Sequence, residues 1–297
     1  MDQLHLGKTS LSVELAKRIN GEIISADSMQ IYKEMNIGTA KVTIEEMQNI
    51  PHYLVDFVSP DEEYNVSRYK DDALKAIQTI INNGKTPIIV GGTGLYVDTL
   101  INGIEFNDIE EDLEYRTYLE GLLNEHGPDY LFSMLQDVDE ESAQKIDKNN
   151  TRRVMRALEI YKVTGKTKSQ LDKESVKGPN YDYYVFGIDW DREKLYDRIN
   201  RRVDIMIESG LVEEVKNLNS KYKISKTAMQ GLGYKEVIEY LNNAVSYDEM
   251  IDNIKKESRH YAKRQLTWFR HIKDIIWLDG ESGEAMVDEI IRRCNLS

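Results

Sequence analysis

"GKTSLSVELAKRINGEIISADSMQ", residues Gly7 to Gln30, decides the fold. Gly7-Lys8-Thr9 is the second half of a phosphate-binding loop, G-x-x-x-x-G-K-[ST]. In such a loop, backbone N–H groups at a helix start point at phosphate oxygens, the lysine adds a charge, and the hydroxyl joins a Mg2+ shell. "SLSVELAKRI" follows with helical spacing: Leu11, Leu15 and Ile19 share a face, and Thr9-Ser10 are placed to cap its start. "GEIISA" is a short apolar run with β-branched residues, hence a buried strand, and Asp27-Ser28 stand at its end. A complete loop would have its first glycine at position 2, which is Asp2, with an apolar strand before it. "MDQLHL" occupies that place, and the opening is read as altered or incomplete.

The alternation continues outward. "HYLVDFV" is a second strand candidate. "NVSRYKDDALKAIQTIINNG" is a helix capped by Asn65 or Ser67 and stopped at Gly84. "KTPIIVGGTGLYVDTLING" reads as strand, glycine turn, helix. This pattern predicts an α/β fold, a P-loop-type parallel sheet flanked by helices, with ligands at the carboxyl ends of the strands. Gly7–Thr9, Asp27–Gln30 and Gly91–Thr93 all fall there. From Asp108 to about Gly178 strand patterns vanish, and "EYRTYLEGLLNEHG", "PDYLFSMLQ", "ESAQKI" and "NTRRVMRALEIYKVTG" read as helices. The expected organisation is a core of residues 1–107 and 181–297, with an all-helical insertion at 108–180. In the returning core, "YDYYVFGIDW" and "DIIWLD" are strands. A long helical region broken at Gly210, the helix "YDEMIDNIKKESRHYAKRQLTWFRH" and a closing helix "GEAMVDEIIRRC" complete it.

A chain of 297 residues can hold one large domain or two. No apolar run approaches the ~20 residues of a membrane span, and no secretory h-region opens the chain. Cys294 is the only cysteine, which excludes an internal disulfide or a cysteine zinc site. The histidines are scattered without metal-ligand spacing. A cytoplasmic protein is expected. The net charge of -13 by itself argues against a nucleic-acid partner. Its distribution is uneven. Asp108 to Glu141 is acidic with Arg116 its only base, whereas Lys148–Lys168 and Lys255–Lys273 are basic. Each basic stretch is either a solvated helix face or a local field for a polyanion.

Several residues carry candidate chemistry. Asp27 is either a turn residue or a carboxylate that holds Mg2+ or accepts a proton. Gly91-Gly92-Thr93-Gly94 permits close approach of a ligand, or simply makes a tight turn. Arg153 and Arg156 share a helix face and suit phosphate contacts. Arg202, in "RINRRVDIM", is placed to reach a phosphate. "HYAKRQLTWFRH" mixes bases and aromatics, which suits a nucleic-acid backbone and a stacked base, or a docked helix with a charged outer face.

In this order, "GEIISADSMQIYKEMNIGTAK", "IPHYLVDFVSP", "PIIVGGTGLY", "RVMRALEIY", "RVDIMIESGLVEEV", "GLGYKE" and "YAKRQLTWFR" resemble the tRNA dimethylallyltransferases of the IPP transferase family. The bacterial form is the better likeness, because no zinc finger follows the core. The resemblance runs from Gly7 to the C-terminus and departs only at the opening residues. It implies transfer of the dimethylallyl group of dimethylallyl diphosphate to N6 of adenine 37, beside the anticodon, in tRNAs reading codons that begin with U. It implies that Gly7, Lys8, Thr9 and Arg202 hold the diphosphate, Thr9 with Mg2+, and that Asp27 takes the proton from a flipped-out adenine. It also places Asp27, Ser28, Met29, Gln30, Thr93, Arg116 and the run Arg152, Arg153, Val154, Met155, Arg156 at the tRNA anticodon stem-loop, and implies a monomer. Two rivals stand beside it: a phosphoryl-transfer enzyme on the same loop, and a catalytically inactive RNA-binding protein. The first is weakened because no further apolar strand ends in a metal-binding Asp beyond Asp27 and Asp56.

Overall fold

The structure, a computed structural model, describes residues 7–106, 109 and 111–295. The chain enters as α1 (Lys8–Arg18) and drops into β1 (Gly21–Ala26), then passes through α2 (Ile44–Met47), β2 (His52–Tyr53), α3 (Val66–Asn82), β3 (Thr86–Gly91) and α4 (Gly94–Asn102). A helical stretch follows: α5 (Leu113–His126), α6 (Pro128–Val138), α7 (Glu140–Lys145), α8 (Thr151–Thr164) and α9 (Lys168–Ser175). The chain returns through β4 (Phe186–Asp189), α10 (Arg192–Glu208), α11 (Leu211–Lys221), a 3-10 turn at Ala228–Gln230, α12 (Tyr234–Leu241), α13 (Tyr247–Phe269), β5 (Ile276–Asp279) and α14 (Ala285–Cys294).

Two compact units result, Met1–Ile101 with Tyr181–Ser297, and Asn102–Asn180. The first holds a parallel sheet of order β2-β1-β3 and a parallel pair β4-β5. β1 is buried at every position because it is flanked on both edges. Its one charge, Glu22, is met by the Lys85 ammonium at 2.6 Å and by the Tyr53 hydroxyl, which donates at 2.8 Å. β1 and β3 run in register from Gly21↔Thr86 to Ala26↔Gly91. Both strands therefore end level, and Asp27 comes to lie beside the glycine turn. α3 covers the sheet with Tyr69, Ala73, Ala76, Ile77 and Ile80, spaced three or four residues apart on one face. Its N-cap is Asn65, whose side chain accepts the Arg68 N–H at 3.0 Å.

Some elements differ from the expectation. α1 starts at Lys8 with Gly7 as its N-cap, so Thr9 and Ser10 lie inside the helix rather than capping it. Only His52–Tyr53 of "HYLVDFV" is strand. Leu54 and Asp56 sit at φ 59° and 58°, and the chain bends back to bond the segment after β1. Asp56 N–H donates to Gln30 O at 3.0 Å, and Phe57 N–H to Ile31 O at 2.9 Å. Of "YDYYVFGIDW", only Phe186–Asp189 pairs.

The second unit packs Leu119, Leu131, Leu135, Val154, Ala157 and Leu158 into its own core. Its boundary falls at 101/102, earlier than the change in sequence pattern at 108. The reason is a clasp between the two chain crossings: Ile104 bridges Val176 antiparallel, and Glu105 N–H donates to Ser175 O at 2.8 Å.

Candidate active site

Asp27 leaves β1 in a turn of its own making. Its Oδ1 accepts the backbone N–H of Met29 at 2.9 Å and of Gln30 at 3.3 Å, which fixes the carboxylate's orientation. The neighbouring turn is stitched to it. Thr93 N–H donates to Ala26 O at 3.1 Å, and Thr93 Oγ1 accepts the Ser28 N–H at 3.0 Å. The Gln30 amide donates to Thr39 O at 3.3 Å and Ala40 O at 3.2 Å, so that side chain is anchored in the loop beyond.

α13 closes over the glycine turn. Gln265 Nε2 donates to Gly92 O at 2.7 Å, and the Tyr261 hydroxyl stands beside Gln265 and Thr93. A Cβ on Gly94 would lie 2.5 Å from the Trp268 ring, so a glycine is required there. The close approach that this turn allows is thus made by α13. The same helix leaves Lys263, Arg264 and Arg270 exposed, the docked helix with a charged outer face. Burial pushes the Tyr261 phenol above its ordinary value, and the Asp27 charge pushes in the same direction.

Two cations share this cleft with Asp27. Lys8 and Arg202 are both exposed side chains, and each feels the charge of Asp27. Loss of surrounding water pushes the Lys8 ammonium below the usual lysine range; Asp27 opposes this and Arg202 adds to it. The Arg202 guanidinium is lowered for the same first reason, with Asp27 and Glu46 opposing. Lys8 Nζ also reaches Gly91 O at 3.4 Å. Two cations whose charges act on each other and on Asp27 are suited to an anion of more than one charge. Thr9 is exposed in the first turn of α1, and among the described residues no three His, Cys, Asp or Glu side chains gather as a metal cage.

The helical unit treats its arginines unequally. Glu159 on α8 is fully buried. Its carboxylate takes Arg116 Nε at 2.8 Å, Arg116 Nη2 at 2.9 Å, Arg156 Nη1 at 2.5 Å and the Asp112 N–H at 2.9 Å. Burial alone would raise the Glu159 carboxyl, but the bonds from Arg116 and Arg156 hold it below the usual range. Arg153 and Arg156 therefore do not act as a matched surface pair: Arg156 turns inward to Glu159, while Arg152 and Arg153 are exposed. Val154 is 1% exposed and its side chain belongs to the core, with Met155 packed against that core. Glu159 was not singled out in the sequence, and Tyr261 and Gln265 entered it only as members of "HYAKRQLTWFRH". For Glu159 the available signal was its spacing of three from Arg156.

Residues 30–272 match the family model described as IPP transferase. A tRNA dimethylallyltransferase of Acetivibrio thermocellus is 52% identical over 281 residues, 94% of this chain and 90% of the relative. One from Bacillus mycoides is 49% identical over 288 residues, 97% of this chain and 90% of the relative. Among solved structures, the full-length tRNA isopentenylpyrophosphate transferase of Bacillus halodurans superposes with a TM-score of 0.73 at 43% identity, covering 98% of this chain and 92% of that one. A eukaryotic dimethylallyltransferase, described as acting on tRNA, superposes with a TM-score of 0.79 at 31% identity, covering 99% of this chain and 78% of that one. With a family match through most of its length and relatives at about half identity, this chain belongs to the IPP transferase family.

Proposed function

We propose that this chain transfers the dimethylallyl group of dimethylallyl diphosphate to N6 of adenine 37 in tRNA, working as a cytoplasmic monomer. The observation that carries the reading is that Asp27, at the carboxyl end of the sheet, stands within electrostatic reach of Arg202 and of Lys8, whose ammonium reaches Gly91 O at the end of β3. The names of the relatives, tRNA dimethylallyltransferase, agree with it. No helix among the described residues is long and apolar enough to cross a membrane.

The chemistry divides between two sides of the cleft. Breaking the allylic C–O bond moves an electron pair onto the diphosphate, and charge grows there as the bond stretches. Lys8, Arg202 and the N–H groups of the first turn of α1 are fixed before that charge appears, which lowers the barrier without reorganisation. Mg2+ keeps most of its waters and needs few protein ligands, so the exposed Thr9 hydroxyl in the first turn of α1 would be the residue that holds it together with the diphosphate. Bound there, the ion would supply further charge neutralisation for the leaving group.

The adenine amine is a weak nucleophile because its lone pair is delocalised into the ring. Asp27 hydrogen-bonds N6–H, aims the lone pair at the allylic carbon and takes the proton as the N–C bond forms. The bonds from Met29, Gln30 and the Thr93–Ser28 stitch hold that carboxylate and its flanking residues in place. In the helical unit, Arg152 and Arg153 offer charge to the RNA backbone, while Arg116 and Arg156 are pre-set by Glu159. Arg116 Nη1 also pairs with Glu111 at 2.7 Å. Incubation with Mg2+, labelled dimethylallyl diphosphate and unmodified tRNA tests the reading. Label is expected on adenine 37 after digestion to nucleosides, and its absence overturns the proposal.

A further inference from the structure

Three sequence strings, "NIGTAK" (36–41), which receives the Gln30 amide, "GLVEEV" (210–215) and "GLGYKE" (231–236), have no further part in the site so far. They meet at one carboxylate. Glu214, on α11, accepts the Asn36 N–H at 2.9 Å and the Ile37 N–H at 2.7 Å on Oε2. On Oε1 it accepts the Gly38 N–H at 3.1 Å and the Tyr234 hydroxyl at 2.7 Å. Three successive backbone N–H groups around one anion form a nest, and the fourth donor fills the carboxylate's remaining capacity. Tyr234 is 1% exposed, and burial, followed by the Glu214 charge, pushes its phenol far up, so it remains a donor. Gly38 lies so close that a Cβ there would stand 2.5 Å from the Tyr234 ring.

The loop held this way has a task. Its Thr39 and Ala40 carbonyls receive the Gln30 amide. Thr39 Oγ1 donates back to Met35 O at 2.7 Å, and Lys41 Nζ donates to Tyr32 O at 2.6 Å. The far end of the loop, residues 39–41, is thus tied to the segment that follows Asp27. None of the four Glu214 bonds reaches Lys8 or Arg202.

We propose that Glu214 is a positioning residue for the nucleic-acid acceptor: by nesting Asn36–Gly38 it fixes the loop that anchors Gln30, and so holds the Asp27–Gln30 turn ready for the adenine. The proposal rests on the function given above and deepens its acceptor side. Glu214→Gln keeps the shape but turns one oxygen into an NH2 that opposes its former donors. Tyr234→Phe removes one donor only. In Glu214→Gln, the KM for tRNA is expected to rise about tenfold or more, with a smaller rise in Tyr234→Phe. The KM for dimethylallyl diphosphate should stay within about twofold, a split that general destabilisation does not produce. Amide exchange gives a second readout without turnover. Protection of the Met29 and Gln30 N–H groups should fall in Glu214→Gln while that of β1 and β3 persists. Equal changes in both KM values, or unchanged tRNA KM and unchanged protection at Met29 and Gln30, overturn the proposal. If the wild-type protein transfers no prenyl group, the functional reading falls, and the exchange experiment still decides whether Glu214 holds this turn.

Discussion

Thr93 Oγ1 accepts the Ser28 N–H at 3.0 Å and donates to Ser28 Oγ at 3.3 Å, and this side-chain link helps tie the turn after β3 to the turn that carries Asp27. It exists because β1 and β3 end level, a property of their parallel register rather than of either turn. Thr93→Val keeps the side-chain shape and removes both the acceptor of the Ser28 N–H and the donor to Ser28 Oγ, leaving a part-buried N–H unmet. Turnover is expected to fall about tenfold, the cost of this lost link at a site where geometry decides rate. Thr93→Ser should recover most of it. Steady-state rates for the two variants at saturating tRNA check this, and equal rates would show that the stitch is structural only.

Asp27→Asn separates two roles of one side chain. The amide oxygen still accepts the Met29 and Gln30 N–H groups, so the turn survives. What is lost is the base of the proposed mechanism. Turnover should fall by about 10²–10⁴ with little change in tRNA affinity. A tRNA dissociation constant that rises in parallel with the loss of rate would move Asp27 from proton transfer to binding.

The contrast between Glu214 and its neighbour Glu213 shows what was legible in the sequence. Both lie in the first turn of α11, and nothing local distinguishes them. Glu213 stands in solvent near Lys216 at 3.6 Å, whereas Glu214 meets a loop far away in the chain. Local periodicity and turn chemistry expose α1, β1 and the position of Asp27, because those depend on neighbours in sequence. They do not expose Glu214, Tyr261 or Gln265, whose partners are set by packing. "HYLVDFV" fails as a full strand for the same reason: its β-forming residues are overridden at Leu54 and Asp56 by backbone bonds to Gln30 and Ile31. Val154 shows the converse. It sits inside a string that marks the family, yet its side chain is core.

Lys8 supplies a pH test. Its ammonium is lowered chiefly by loss of water, so the charge proposed to hold the diphosphate disappears at a lower pH than for an ordinary lysine. The kcat/KM for dimethylallyl diphosphate reports the free enzyme. It should decline on the alkaline side as pH rises through that lowered value. Lys8→Arg keeps a charge throughout and should abolish this decline, even at a reduced maximum rate. Lys8→Ala should lower kcat/KM for the diphosphate substrate by about 10²–10³ while tRNA binding persists. An alkaline limb that is identical in Lys8→Arg and wild type would assign the titration to another group.

The Glu159 cluster makes a prediction about stability. Glu159→Gln leaves Arg116 and Arg156 facing a neutral partner inside the helical unit. Breaking a fully buried pair costs about 3–5 kcal/mol, and the partial exposure of both arginines, 31% and 36%, brings the expected loss to the lower end or below. The pH dependence has a definite sign. The folded-state carboxyl lies below its unfolded value, so its contribution is present above the unfolded value and is lost as pH falls through the folded one. Thermal melts of wild type and Glu159→Gln should therefore differ most near neutrality and converge in acid. A difference that stays constant down through the acid range would mean that the glutamine loses packing rather than charge. Arg152 and Arg153, both exposed, should change tRNA affinity without moving the melting temperature when replaced by alanine, which distinguishes the binding surface from the clamp beneath it.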